Sequence, residues 1–110
     1  MSKHPAAAMG AIPGIPIKSK QLLRQLFASQ PNLEAVWLFG SRAMERHQEG
    51  SVIDLCLEGE PISHGDRLGM LTAIDDLLLP WKVDLVLRQE LAPDLLAHLE
   101  RVGRCIWRKP

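Results

Sequence analysis

Two stretches alternate apolar and polar residues with a period of two, and they limit the fold more than anything else in the chain. In residues 51–59, "SVIDLCLEG", Ile53, Leu55 and Leu57 face one way, and Val52, Asp54, Cys56 and Glu58 the other. In residues 82–88, "KVDLVLR", Val83, Leu85 and Leu87 oppose Lys82, Asp84, Val86 and Arg88. Strand side chains alternate between faces, so both stretches read as strands whose apolar trios lie against helices. If the two strands are neighbours in suitable register, Asp54 and Asp84 meet on the other face.

The remaining segments supply the partners. Residues 18–31, "KSKQLLRQLFASQP", put Leu22, Leu23, Leu26 and Phe27 on one helical face, with Ser19 as the expected cap and Pro31 as the stop. "EAVWLFG" is an apolar run ending in glycine, a buried strand that feeds "SRAMER", a short helix or turn. Residues 63–80 are helical, with Leu68, Leu71, Ile74, Leu77 and Leu78 expected inward. "APDLLAHLERVG" is a helix with Leu95, Leu96, Leu99 and Val102 inward and Gly103 at its end, and "RCIWR" is a last strand. The order α-β-(α)-β-α-β-α-β predicts an α+β fold, a small mixed sheet with helices on one face. Residues 1–16 are rich in Ala, Pro and Gly without periodicity and read as a flexible arm. Residues 17–110 form one domain.

Charge and composition narrow the function classes. The 13 basic and 13 acidic side chains balance, so no overall field draws the chain to nucleic acid, and direct DNA binding is not expected. Cys56 and Cys105 belong to no C-x-x-C pair, and His4, His47, His64 and His98 lack ligand spacing, which disfavours a zinc site. Both thiols read as buried and free. "AAAMGAIPGIPI" has no basic leader and is broken by Pro13 and Pro16, and no run approaches a membrane span. A cytoplasmic protein without membrane contact is the expectation.

Two carboxylates brought together raise each other's pKa unless a cation intervenes. Mg²⁺ commonly takes a few carboxylates together with phosphate oxygens, so Asp54 and Asp84 are candidate metal ligands. Taken alone, the pair reads better as two solvent-facing aspartates on alternating strands than as a metal platform. The segment before them adds weight. Gly40 permits close backbone approach, Ser41 is placed to cap the short helix and present its amides to an anion, and Arg42 adds a guanidinium.

Gly40 and Ser41, ten intervening residues, then Val52-Ile53-Asp54, with Asp84 on a later strand, resemble the minimal nucleotidyltransferases (MNT proteins) of the DNA polymerase β superfamily. "FGSRA", "IDL", "VDLVL" and the terminal "RCIWR" carry the resemblance over residues 17–108. It implies a nucleotidyltransferase-like fold, ATP or another nucleoside triphosphate held at Gly40 and Ser41, and a weaker phosphate contact from Arg42. It implies catalytic aspartates, Asp54 and Asp84, that ligate Mg²⁺ in a two-metal site, and AMP transfer to a protein or RNA acceptor. It also implies a HEPN-domain toxin as partner. Two positions depart from the pattern. Val52 stands where the first aspartate of D-x-D belongs and has no lone pair to offer. Glu45 stands where the family often has glycine.

Two functions follow from these residues: a nucleotidyltransferase, or an inactive module of the same fold that works by binding its toxin. Glu49 and Glu58 are the substitutes on hand for the missing carboxylate. Oligomerisation is left open. Trp37 reads as core, and Trp81, after Pro80 at a strand entrance, as peripheral core.

Overall fold

In the computed structural model, which describes residues 9–110, the expected order of elements is found. Helix α1 spans Ile17–Ala28, strand β1 Ala35–Phe39, the short helix α2 Gly40–Ala43 and strand β2 Ile53–Glu58. Helix α3 spans His64–Asp76 and strand β3 Val83–Leu87; a 3₁₀ turn at Arg88–Glu90 leads into helix α4, Pro93–Val102, and strand β4, Arg104–Arg108. The sheet order is β3-β2-β1-β4, with β1 antiparallel to both β2 and β4, and β2 parallel to β3. The parallel pair needs a crossover, which α3 provides.

The alternation in β2 and β3 does what it promised. Ile53, Leu55, Leu57, Leu85 and Leu87 are buried against Leu23 and Phe27 of α1 and Met70 and Ile74 of α3. Removing a side chain of this size from water contributes roughly 1.5–3 kcal/mol each, so this layer is the main core. Ile106, left over where the β1–β4 register shifts between Val36 and Trp37, turns into the same core beside Trp107, whose ring meets Phe27 at 6.1 Å. Helix α3 starts on a reciprocal cap: the Ser63 hydroxyl accepts from the Asp66 amide, and the Asp66 carboxylate accepts from the Ser63 amide, both at 3.0 Å.

α1 and α3 share one face of the sheet, and α4 partly covers the other. Leu99 of α4 is buried with Phe39 and Cys56, and Trp37, Val86, Leu91 and Leu96 pack around them.

Several local expectations are corrected. The arm expected through residue 16 is packed from residue 10 onward: Ile12 and Ile15 are buried in the main core, and the Gly10 amide donates to the Ile106 carbonyl at 2.7 Å. The portion at residues 1–8 lies outside the described residues. Ser19 lies inside α1, whose N-cap is Pro16. Leu22, Leu68, Leu78 and Leu95, expected inward, are exposed, Leu78 at 87%. Leu78 lies just past the C-cap of α3 with φ 55, so the chain has already turned out of the helical phase that would bury it. Cys105 is exposed, and only Cys56 is a buried thiol.

Candidate functional site

The parallel register pairs Asp54 of β2 directly with Asp84 of β3, and the antiparallel register sets Phe39 of β1 on the other side of Asp54. Phe39, Asp54 and Asp84 therefore form one row across three strands, on the face opposite α1 and α3. The convergence expected from alternation is present. Asp54 is half-buried and Asp84 exposed. Burial, and then the charge of Asp84, pushes the Asp54 carboxyl above its ordinary pKa.

Gly40 follows Phe39 and has φ 75, the left-handed region that side chains rarely enter. A Cβ there would also collide with the Asp54 carboxylate. The glycine thus serves twice: it turns β1 into α2, and it lets the turn lie against the aspartate. Ser41 is half-buried next to it.

Arg42 does not stay at this turn. It is 1% exposed, and its guanidinium is spent on backbone: Nη1 donates to the Pro13 carbonyl at 2.7 Å, and Nη2 and Nε donate to the Ser51 carbonyl at 2.8 and 3.3 Å. The phosphate contact expected of Arg42 is therefore corrected to a structural clamp, since these partners use the fork that would grip an anion. Burial lowers the Arg42 pKa. Gly14, with φ 85, completes the clamp: a Cβ there would lie 2.7 Å from Arg42 Nη1 and 3.0 Å from His47 Nε2. Nothing in the sequence pattern points to this pairing across 29 positions. The one available signal is Ile12 and Ile15, isolated apolar residues in an otherwise small-residue stretch.

Val52 precedes β2 and is half-buried. Neither substitute carboxylate takes its place. Glu49 is exposed in the loop, and Glu58, at the far end of β2, accepts the Trp37 indole N–H at 2.8 Å. The Arg88 guanidinium lies 5.7 Å from the centroid of that indole ring. Among the described residues no group of three His, Cys, Asp or Glu side chains is placed to hold a metal. Two carboxylates suit a single Mg²⁺ completed by water and phosphate oxygens; they do not supply the shared ligand of a two-metal clamp.

Asp84 also lines two clefts. One, of about 380 Å³, has His64, Arg67, Glu90, Leu91 and Leu95 in its walls. Arg67 there donates to the Leu85 carbonyl at 3.1 Å, covering the outer edge of β3, and to His64 Nδ1 at 3.3 Å. The other, of about 500 Å³, is walled by Leu71, Leu78, Leu79, Trp81 and Lys82. Trp81 packs on the rim of the main core, as expected of it.

Residues 21–110 match the family described as "Polymerase beta, Nucleotidyltransferase". No curated protein matches the chain by sequence. Among solved structures, the chain is similar to one of a toxin–antitoxin with AMP-PNP, at 21% identity and a TM-score of 0.69 over 82% of this chain and 73% of the other. It is similar to the toxin–antitoxin MntA–HepT, at 19% identity and a TM-score of 0.61 over 84% and 72%. A third is the tri-AMPylated Shewanella oneidensis HEPN toxin in complex with MNT antitoxin, at 22% identity and a TM-score of 0.57 over 84% and 68%. At these identities the likeness is one of fold.

Proposed function

The chain belongs to the polymerase β nucleotidyltransferase family, and from that premise we propose that it is an MNT-type antitoxin that neutralises a HEPN-domain toxin by binding it, its AMP transfer from ATP being disabled. The observation that carries this reading is the incomplete row of carboxylates. Asp54 and Asp84 stand in direct register, Val52 holds the third place, and no described side chain completes a three-ligand group.

The geometry supports a vestigial nucleotide site. Gly40 and Ser41 would cradle the triphosphate, and Asp54 and Asp84 would hold one Mg²⁺, which when bound supplies charge neutralisation to the phosphates. Removing one preorganised stabiliser of a transition state typically costs about 10²–10³ in rate, and a carboxylate shared by two metals costs at least as much. The kinship in fold with MNT–HEPN toxin–antitoxin structures supports a HEPN partner, for which complex formation alone would suffice.

A second reading, slow AMP transfer through a single Mg²⁺, is favoured by one observation: the Gly40 turn lies against Asp54, which is where a triphosphate held at that turn would meet a metal held by the aspartate.

Calorimetric titration of ATP, with and without Mg²⁺, into the native protein and the Val52→Asp variant separates the two. A second assay follows radiolabelled AMP transfer to a HEPN-domain protein from the same genome. The expected result is Mg²⁺-dependent ATP binding restored or strengthened at least about tenfold in Val52→Asp, transfer only by that variant, and HEPN binding by both. Transfer by the native chain at a rate equal to that of Val52→Asp overturns the disabled reading. Absence of a complex with any such HEPN protein overturns the antitoxin reading.

A further inference from the structure

The place left by the missing carboxylate has a cation beside it. We infer that the Lys82 ammonium stands in for the second metal ion, contacting the phosphates of a nucleoside triphosphate next to the one Mg²⁺ that Asp54 and Asp84 would hold. The inference rests on the nucleotide reading of this site and adds to it the residue that offsets Val52.

Register puts Lys82 there. β2 and β3 pair Ile53 with Val83 and Asp54 with Asp84, and the ladder runs one step further, the Ile53 amide donating to the Lys82 carbonyl at 2.9 Å. Lys82 is thus the cross-strand neighbour of Val52. Alternation sets its side chain on the face of Asp84. The flanking residues agree, since Trp81 packs on the rim of the main core and Val83 is buried within it. On the other side of β2, β1 ends at Phe39, the partner of Asp54, and turns at Gly40 into α2. Neighbouring strands lie about 4.8 Å apart, so Lys82 and the Gly40–Ser41 turn flank Val52 from opposite sides. A phosphate held at that turn is within reach of the four-carbon stem of a lysine.

The ammonium is uncommitted. Lys82 is exposed, and its side chain takes part in no ion pair or hydrogen bond found among the described residues, although Asp84 stands two positions away on the same face. Two guanidiniums near the row are already spent on carbonyls, Arg42 on Pro13 and Ser51 and Arg67 on Leu85.

Charge gives the lysine its role. In a two-metal site, a carboxylate at position 52 would share in holding cationic charge against the phosphates, whereas valine holds none. An ammonium is a compact point charge suited to phosphate, and Val52 leaves it apolar surface and no competing anion. An aspartate at position 52 would face the lysine directly and capture it. Positions 52 and 82 are therefore coupled: the lysine serves the phosphates because its neighbour is uncharged.

A double-mutant cycle of Val52→Asp and Lys82→Gln tests this, read by calorimetric titration of ATP in excess Mg²⁺. Lys18→Gln, at an exposed position on α1 across the sheet, controls for net charge. Lys82→Gln changes an exposed side chain, so circular dichroism should show the variant folded. In the native background Lys82→Gln is expected to weaken ATP binding at least about tenfold and Lys18→Gln less than about twofold. In the Val52→Asp background the loss from Lys82→Gln should fall below about threefold. Equal losses in the two backgrounds overturn the inference, and so does the absence of a loss in the native one, a comparison that stands whether or not Val52→Asp folds. ATP that binds neither the native chain nor a folded Val52→Asp variant defeats the nucleotide reading itself, and the inference with it.

Discussion

At the scale of single residues, the candidate site is a balance struck at Asp54. Its carboxylate has given up part of its hydration and faces Asp84, and both effects raise its pKa. The folded state therefore binds that proton more tightly than the unfolded chain does. By linkage, stability falls as pH rises from the unfolded value, near 3.8, through the raised folded one, and the full penalty is present above that window. Asp54→Asn removes the charge and keeps the shape. Thermal unfolding should show the variant melting above the native protein at pH 7, with the gap closing as the pH falls below the unfolded carboxyl value. A gap that stays constant with pH would assign the gain to packing. The same residue was legible in the sequence because period-two alternation and its partner Asp84 are local features. Glu45 illustrates what was not: it holds φ 56 and pairs with Arg104 at 2.9 Å, a contact between positions 59 apart that no local pattern announces.

At the scale of elements, nearly every helix and strand could be read from periodicity and punctuation, because each has its own apolar face. The exceptions were elements held by tertiary contacts alone. Residues 10–15 have no repeating pattern; they are ordered by two isoleucines inserted in the core and by the Arg42 clamp. Arg42 was assigned to phosphate because position after Gly-Ser says nothing about rotamer, and the structure turns it toward Pro13 and Ser51 instead. That clamp ties the N-terminal segment to the end of the loop that leads into β2. Arg42→Ala strands two carbonyls, and hydrogen bonds from a charged donor are worth about 1.5–3 kcal/mol each. A loss of about 3 kcal/mol is expected in urea unfolding, and Arg42→Lys should recover less than half of it, since an ammonium lacks the fork. Gly14→Ala, which drives a Cβ at the same guanidinium, should be destabilising alone and clearly less so in the Arg42→Ala background. Additive losses would mean that the two residues do not act together.

At the scale of the whole molecule, one sheet carries two unequal layers. The α1–α3 side holds the large core, whereas the α4 side rests on a small cluster around Phe39, Cys56 and Leu99. Regions with fewer buried apolar contacts open at lower free energy than the whole, so α4 is the part expected to lift first. Cys56 reports on that opening. It lies at the centre of the sheet beneath α4, fully buried, and burial above all pushes its thiol up to about 11. Only the thiolate reacts, so in native buffer a disulfide reagent should modify Cys105 quickly and Cys56 slowly, with both reacting in denaturant. Leu99→Ala and Met70→Ala each remove a buried side chain at an expected cost of about 2–5 kcal/mol, one from each layer. If α4 opens alone, Leu99→Ala accelerates Cys56 labelling beyond what its loss of global stability accounts for. Met70→Ala then accelerates it only in proportion to global unfolding. Equal accelerations at equal loss of stability would show instead that both layers come apart together, and that the site row and the main core share one cooperative unit.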